Sequence, residues 1–105
     1  MKEISPNSLK EMMNKKTDFQ LIDVREYFEH QICCIGGDKI DMYSMMNNID
    51  KISKKKDVIF YCRTGNRSAT IIKMIEKKYS FNNLYNLKGG IMRWREDVDN
   101  SINEY

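Results

Sequence analysis

The sequence predicts an α/β fold, with a mainly parallel five-stranded sheet flanked by helices on both faces. Three observations carry this. Short apolar, β-branched or aromatic runs alternate with stretches of helical spacing along the whole chain, the signature of repeated strand–helix units. Two of those runs, residues 19–24 and 58–61, are mostly apolar, as strands covered on both faces are. The 105 residues, 41% hydrophobic and 31% charged, suffice for one core and leave little for a second. The expectation is one domain over residues 1–105.

The elements follow in order. Lys2, Glu3 and Ile4 form a short edge strand. Ser5 supplies an N-cap and Pro6 the first helical position, and Leu9, Met12 and Met13 recur at helical spacing, so a first helix runs to about Lys16. The methionines are packing residues. After a turn at Thr17 and Asp18, residues 19–24 form a strand that closes on Asp23, Val24 and Arg25. A short helix spans about residues 26–31, and Lys39 with Ile40 form a brief strand. Met42, Met45, Met46 and Ile49 are spaced for one helical face. Residues 58–61 are the central strand, and Ile71, Ile72 and Ile75 mark a helix that frays near Tyr79 and Ser80. Residues 84–87 are the last strand, and Ile91 and Trp94 give a final helix its apolar face.

The chemistry concentrates between the central strand and the helix after it, where the chain reads Tyr61, Cys62, Arg63, Thr64, Gly65, Asn66, Arg67, Ser68. A cysteine at a strand-to-helix turn meets loop N–H groups and the positive end of the helix dipole, and Arg63 and Arg67 add two cations. That setting favours the thiolate of Cys62, the nucleophilic form of the residue. The same loop could cradle a dianionic substrate. Thr64 and Asn66 line it, Gly65 allows its tight turn, and Ser68 is expected to cap the helix and donate to the sulfur. Four residues separate Cys62 from Arg67.

A loop of that length resembles the active-site loop of the rhodanese family. Protein phosphatases place five residues between cysteine and arginine, and here Ser68 stands where their arginine would be. Two further segments carry the resemblance. Asp23, Val24 and Arg25 match the Asp-Val-Arg of rhodanese domains at the end of an early strand. Lys88, Gly89 and Gly90, with Trp94 beyond, match the Lys-Gly-Gly-x-x-x-Trp stretch that helps to wall their pocket. One segment departs: where the family reads His-Ile-x-Gly-Ala, this chain has Cys34, Ile35, Gly36, Gly37 and Asp38. The tail from Asp97 to Tyr105 is similar to the end of rhodanese domains fused behind adenylating enzymes. The three motifs are in family order and spacing over residues 5–105.

The resemblance implies a sulfurtransferase of the thiosulfate type. Cys62 attacks the sulfane sulfur of a small anionic donor, is left as a persulfide, and hands the sulfur to a thiol or protein acceptor. Arg63 and Arg67 attract and orient the donor, the loop N–H groups hold the persulfide charge, and no cofactor is needed. Asp23 and Arg25 are expected to form a structural ion pair rather than a catalytic one. Two other classes stay open: a docking or sulfur-relay module that does not use thiosulfate, and a phosphatase or arsenate reductase using the same cysteine.

Composition excludes other classes. A net charge of +3 with acidic and basic residues interleaved is no nucleic-acid footprint, and Lys54, Lys55 and Lys56 read as a solvated turn. No apolar run spans a bilayer and the first residues lack a signal-peptide pattern, so a cytoplasmic location is expected. Three cysteines, two of them adjacent at Cys33 and Cys34, and one histidine, His30, provide neither a disulfide framework nor a metal ligand set. A redox role for Cys33 or Cys34, such as Cys34 resolving a persulfide on Cys62, stays open.

Overall fold

The computed structural model describes residues 1–105. Five strands, β1 (Lys2–Ile4), β2 (Phe19–Asp23), β3 (Asp38–Lys39), β4 (Asp57–Tyr61) and β5 (Leu84–Leu87), form one sheet in the order β1-β5-β4-β2-β3. Every neighbouring pair is parallel. Helices α1 (Pro6–Asn14), α2 (Tyr27–Ile32), α3 (Asn66–Lys78) and α4 (Gly90–Asp97) connect or follow them. No helix is long and apolar enough to cross a membrane.

β4 lies at the centre because it can bury both faces. Alternate side chains point to opposite sides of a strand. Val58, Phe60 and Cys62 pack with Ile71, Ile72 and Ile75 of α3, whereas Ile59 and Tyr61 pack with Leu9 of α1 and with Ile91 and Trp94 of α4. The sheet therefore separates two cores. Parallel pairing also brings the carboxyl ends of the strands to one edge, the usual place for a site in such a fold. In register, Asp23 of β2 lies beside Tyr61, and Asn86 of β5 beside Phe60.

β3 is Asp38–Lys39 rather than Lys39 with Ile40, and two elements differ further from expectation, for local reasons. α1 stops at Asn14 rather than Lys16, because Lys15 already caps it and Lys16 turns the chain with a φ of +54°. The methionine segment is not one helix but two 3-10 turns, Met45–Asn47 and Ile49–Lys51. Asp41 Oδ1 accepts from the N–H groups of Tyr43 and Ser44, and the Asn48 side-chain amide donates to Ser44 O at 2.7 Å. Such side-chain bonds compete with the continuous helix ladder. Met45 is still fully buried, so the apolar spacing served packing without a regular helix.

Candidate active site

After Tyr61 the chain leaves the sheet and turns back within four residues into α3. Gly65 makes this possible with a φ of +101°, a left-handed conformation that side-chain-bearing residues rarely adopt. The turn aims amides inward. Cys62 Sγ accepts from the N–H of Gly65 at 3.1 Å and from the N–H of Ser68 at 3.5 Å, and the residue is 1% exposed. Three of the residues singled out in the sequence thus meet at one sulfur atom. Arg63, Thr64 and Asn66 are exposed on the crest of the loop. Thr64, Gly65 and Asn66 also border an open groove of about 370 Å³. A larger hollow, about 610 Å³, lies toward the amino-terminal ends of β2 and β4, away from Cys62.

Ser68 departs from its expected role. Gly65 is the N-cap of α3, and Ser68 sits within the first turn. Its Oγ lies 3.4 Å from Cys62 Sγ but only 2.5 Å from Asn86 Oδ1, and the Asn86 amide donates to Gly65 O at 3.0 Å. With the amide fixed by Gly65 O, the single hydroxyl proton of Ser68 goes to Asn86. The contacts at the sulfur that must be donations are therefore the two backbone N–H groups. Asn86 was not singled out from sequence, although one amide within the otherwise apolar strand Leu84–Leu87 was a usable signal.

The glycine pair closes the back of the loop. The N–H of Ile91 donates to Cys62 O at 2.9 Å and that of Met92 to Arg63 O at 3.1 Å, so the start of α4 grips the loop's own carbonyls. A Cβ on Gly90 would stand 2.4 Å from Arg63 O and 2.7 Å from Cys62 O, at a φ of +65°. The Gly90→Ala protein is accordingly expected to lose about 3 kcal/mol through left-handed strain and overpacking. Urea denaturation checks this, and a loss below about 0.5 kcal/mol would mean that the clamp is not as tight as described.

Both loop arginines are engaged by the chain itself. Arg67 donates through its two terminal nitrogens to Glu29 Oε1 at 2.6 Å and Oε2 at 2.7 Å, a bidentate fork. Glu29, only 4% exposed on α2, also accepts from Tyr105 Oη at 2.7 Å. Arg63 donates to the main-chain oxygen of Tyr105 and lies over its ring, with 5.1 Å from guanidinium carbon to centroid. Arg25 forms the expected ion pair, a fork onto Asp23 with both contacts at 2.9 Å, and also donates to Cys33 O and Tyr105 Oη. His30 Nδ1 lies 2.9 Å from Asp23 Oδ2. Cys33 belongs to the core on the opposite face of the sheet from Cys62, Cys34 is exposed, and all three cysteines are free thiols.

These pairs set the carboxylates. Burial pushes the Asp23 carboxyl up, but hydrogen bonds from Arg25 and His30 outweigh it and leave it lowered. The Arg67 guanidinium, against the effect of burial and with help from Tyr105, holds Glu29 down at about 2. A depressed folded-state value means that the stability from this pair is present above 4.5, the ordinary value, and is lost as pH falls toward 2. Urea midpoints are expected to fall across that window in the native protein and to fall less in Glu29→Gln. Equal slopes would contradict the pairing.

The model of the rhodanese-like domain matches residues 5–97. The chain is 31% identical over 98 residues to a probable adenylyltransferase/sulfurtransferase MoeZ of Mycobacterium tuberculosis, covering 90% of this chain and 25% of that protein. It is 26% identical over 103 residues to a tRNA uridine(34) hydroxylase of Bdellovibrio bacteriovorus, covering 92% and 29% respectively. The chain thus spans little more than a quarter of these relatives. Among solved structures, a rhodanese-like domain protein from Staphylococcus aureus superposes with a TM-score of 0.82 at 24% identity, covering 100% of this chain and 99% of that one.

Proposed function

The chain belongs to the rhodanese-like domain family, and on that premise we propose that it moves a sulfane sulfur through a persulfide on Cys62. The observation that carries the reading is the buried Sγ of Cys62, which faces the N–H groups of Gly65 and Ser68 inside a loop that closes at Arg67. The relatives named sulfurtransferases support the class of reaction.

The Cys62 thiolate attacks the outer sulfur of thiosulfate, the bond between the two donor sulfurs breaks, and sulfite leaves with its electron pair. A persulfide anion remains on Cys62, and the total charge of minus three is unchanged. An alkyl persulfide reacts in the same way, with a thiolate as leaving group. The terminal sulfur then passes to a thiol or to a protein acceptor, which completes a ping-pong cycle. Donors already aimed at the sulfur need not reorganise as charge moves outward, which is oxyanion-hole logic applied to a persulfide. Arg63 and Arg67 flank the loop mouth, where the anionic part of the donor must lie. Thr64 and Asn66 form its exposed rim.

The burial of Cys62 favours a slender donor. A single sulfur atom at the end of a chain can reach it, whereas a phosphoryl group, tetrahedral and fully oxygenated, fits the short loop poorly. The test is the intact mass of the purified protein before and after a sulfane-sulfur donor, thiosulfate first and an alkyl persulfide second. The expected result is the gain of one sulfur atom, removed by dithiothreitol. No gain from either donor would overturn the reading in favour of a docking module.

A further inference from the structure

We propose that Glu29 is a specificity-determining residue that cancels the charge of Arg67 and thereby tunes the site to singly charged persulfide donors rather than to dianionic thiosulfate. This rests on the reading of Cys62 as a sulfur carrier.

Three arginines surround the loop. Arg63, Arg67 and Arg25 all lie in one hydrogen-bonded cluster, joined through Tyr105 and Glu29. Two of the three are matched by carboxylates within the chain. Arg25 forks onto Asp23, and both side chains are fully buried, so that pair is closed to any donor. Arg67 forks onto Glu29 with both terminal nitrogens, while its own side chain remains 34% exposed. It therefore stands at the mouth as half of a neutral pair. Arg63 has no Asp or Glu partner, and its guanidinium rests on the main-chain oxygen and the aromatic face of Tyr105, the last residue of the sequence.

Anion capture depends on net charge, not on the number of arginines. A bidentate guanidinium–carboxylate pair presents little field to a third charge, and its fork is already occupied. Thiosulfate carries two negative charges and would meet, at Arg67, a cation already neutralised by the Glu29 carboxylate. An alkyl persulfide anion carries one charge and loses less by that neutralisation. It also places that charge on the sulfur being transferred, where the N–H groups of Gly65 and Ser68 already point. In the transfer itself, the bound persulfide takes a proton from solvent to become R–S–SH, Cys62 thiolate attacks its terminal sulfur, the S–S bond breaks, and R–S⁻ leaves with the electron pair. The persulfide remains on Cys62, and no external oxidant or reductant takes part.

The test compares two donors, thiosulfate and 2-hydroxyethyl persulfide, whose organic group is uncharged. Second-order rate constants for loading Cys62 are measured by stopped reactions and intact mass, each divided by the constant for free 2-mercaptoethanol to remove intrinsic reactivity. The native protein is expected to favour the persulfide. Glu29→Gln frees one positive charge, and each donor charge then gains roughly tenfold, so selectivity shifts about tenfold toward thiosulfate. The gain is expected in the half-saturating thiosulfate concentration and not in the limiting rate, which separates tuned capture from a disturbed loop. Arg67→Gln leaves Glu29 unpaired and is expected to shift selectivity the opposite way, so the proposal is decided even if one variant folds poorly. A native preference for thiosulfate, or ratios within twofold across the variants, overturns the proposal. Loading by neither donor in the native protein overturns instead the carrier reading beneath it.

Discussion

The Cys62→Ser protein is expected to take up no sulfur from any donor, a loss of at least about a thousandfold, while keeping its fold. A serine hydroxyl is not ionised near neutrality, and nothing beside residue 62 could take its proton. The only side chain hydrogen-bonded to the sulfur is Ser68, whose own proton is committed to Asn86. The N–H groups of Gly65 and Ser68 would still find an oxygen acceptor in place of the sulfur, so the loop keeps its hydrogen bonds. The change in stability is then expected to be within about 1.5 kcal/mol. Intact mass with a thermal melt reads both quantities at once. Sulfur uptake by the serine variant would move the chemistry to Cys33 or Cys34 and sink the assignment.

The largest loss of stability is expected at Arg25. Its guanidinium is 0% exposed and holds Asp23, Cys33 O and Tyr105 Oη together. Arg25→Met would leave the Asp23 carboxylate buried with only His30 and one main-chain N–H for company. Removing one partner of a buried ion pair costs about 3–5 kcal/mol, enough to lower the melting midpoint of a domain this size by on the order of 15 °C or more. The double substitution Asp23→Leu with Arg25→Met removes the stranded charge, so it is expected to be milder than the single one. If Arg25→Met melts within a few degrees of the native protein, water reaches this pair and its burial is not what holds it. The consequence is that Arg25 acts on the site through architecture. It anchors the tail that in turn holds Arg63.

What could be read from sequence divides along the range of the interactions. The Cys62 loop was legible because all of its determinants are neighbours: an apolar strand, then a glycine, then helical spacing at Ile71, Ile72 and Ile75. The fork of Arg25 onto Asp23 was legible for the same reason, with a single residue between partners. Glu29 was not. Its partners lie 38 residues away at Arg67 and 76 away at Tyr105, and nothing local distinguishes it from Glu26. Without Glu29 in view, Arg67 looked like a free cation. The reading of Ser68 as a cap failed because Gly65, through its left-handed backbone, starts the helix earlier. The methionine segment misled in another way, since 3-10 turns can bury the same apolar spacing as a helix.

The grip of Ile91 and Met92 on the carbonyls of Cys62 and Arg63 has a meaning for assembly. The loop's two halves of support come from chain segments far apart: α3 follows it at once, whereas α4 returns only after β5 has been laid beside β4. Closing that span costs entropy before any of the clamp's hydrogen bonds can form. A short peptide from residues 57 to 70 would therefore carry the whole motif and yet lack the cradle. The nucleophile becomes a site only when the last helix has docked, so a partly folded chain holds an ordinary thiol.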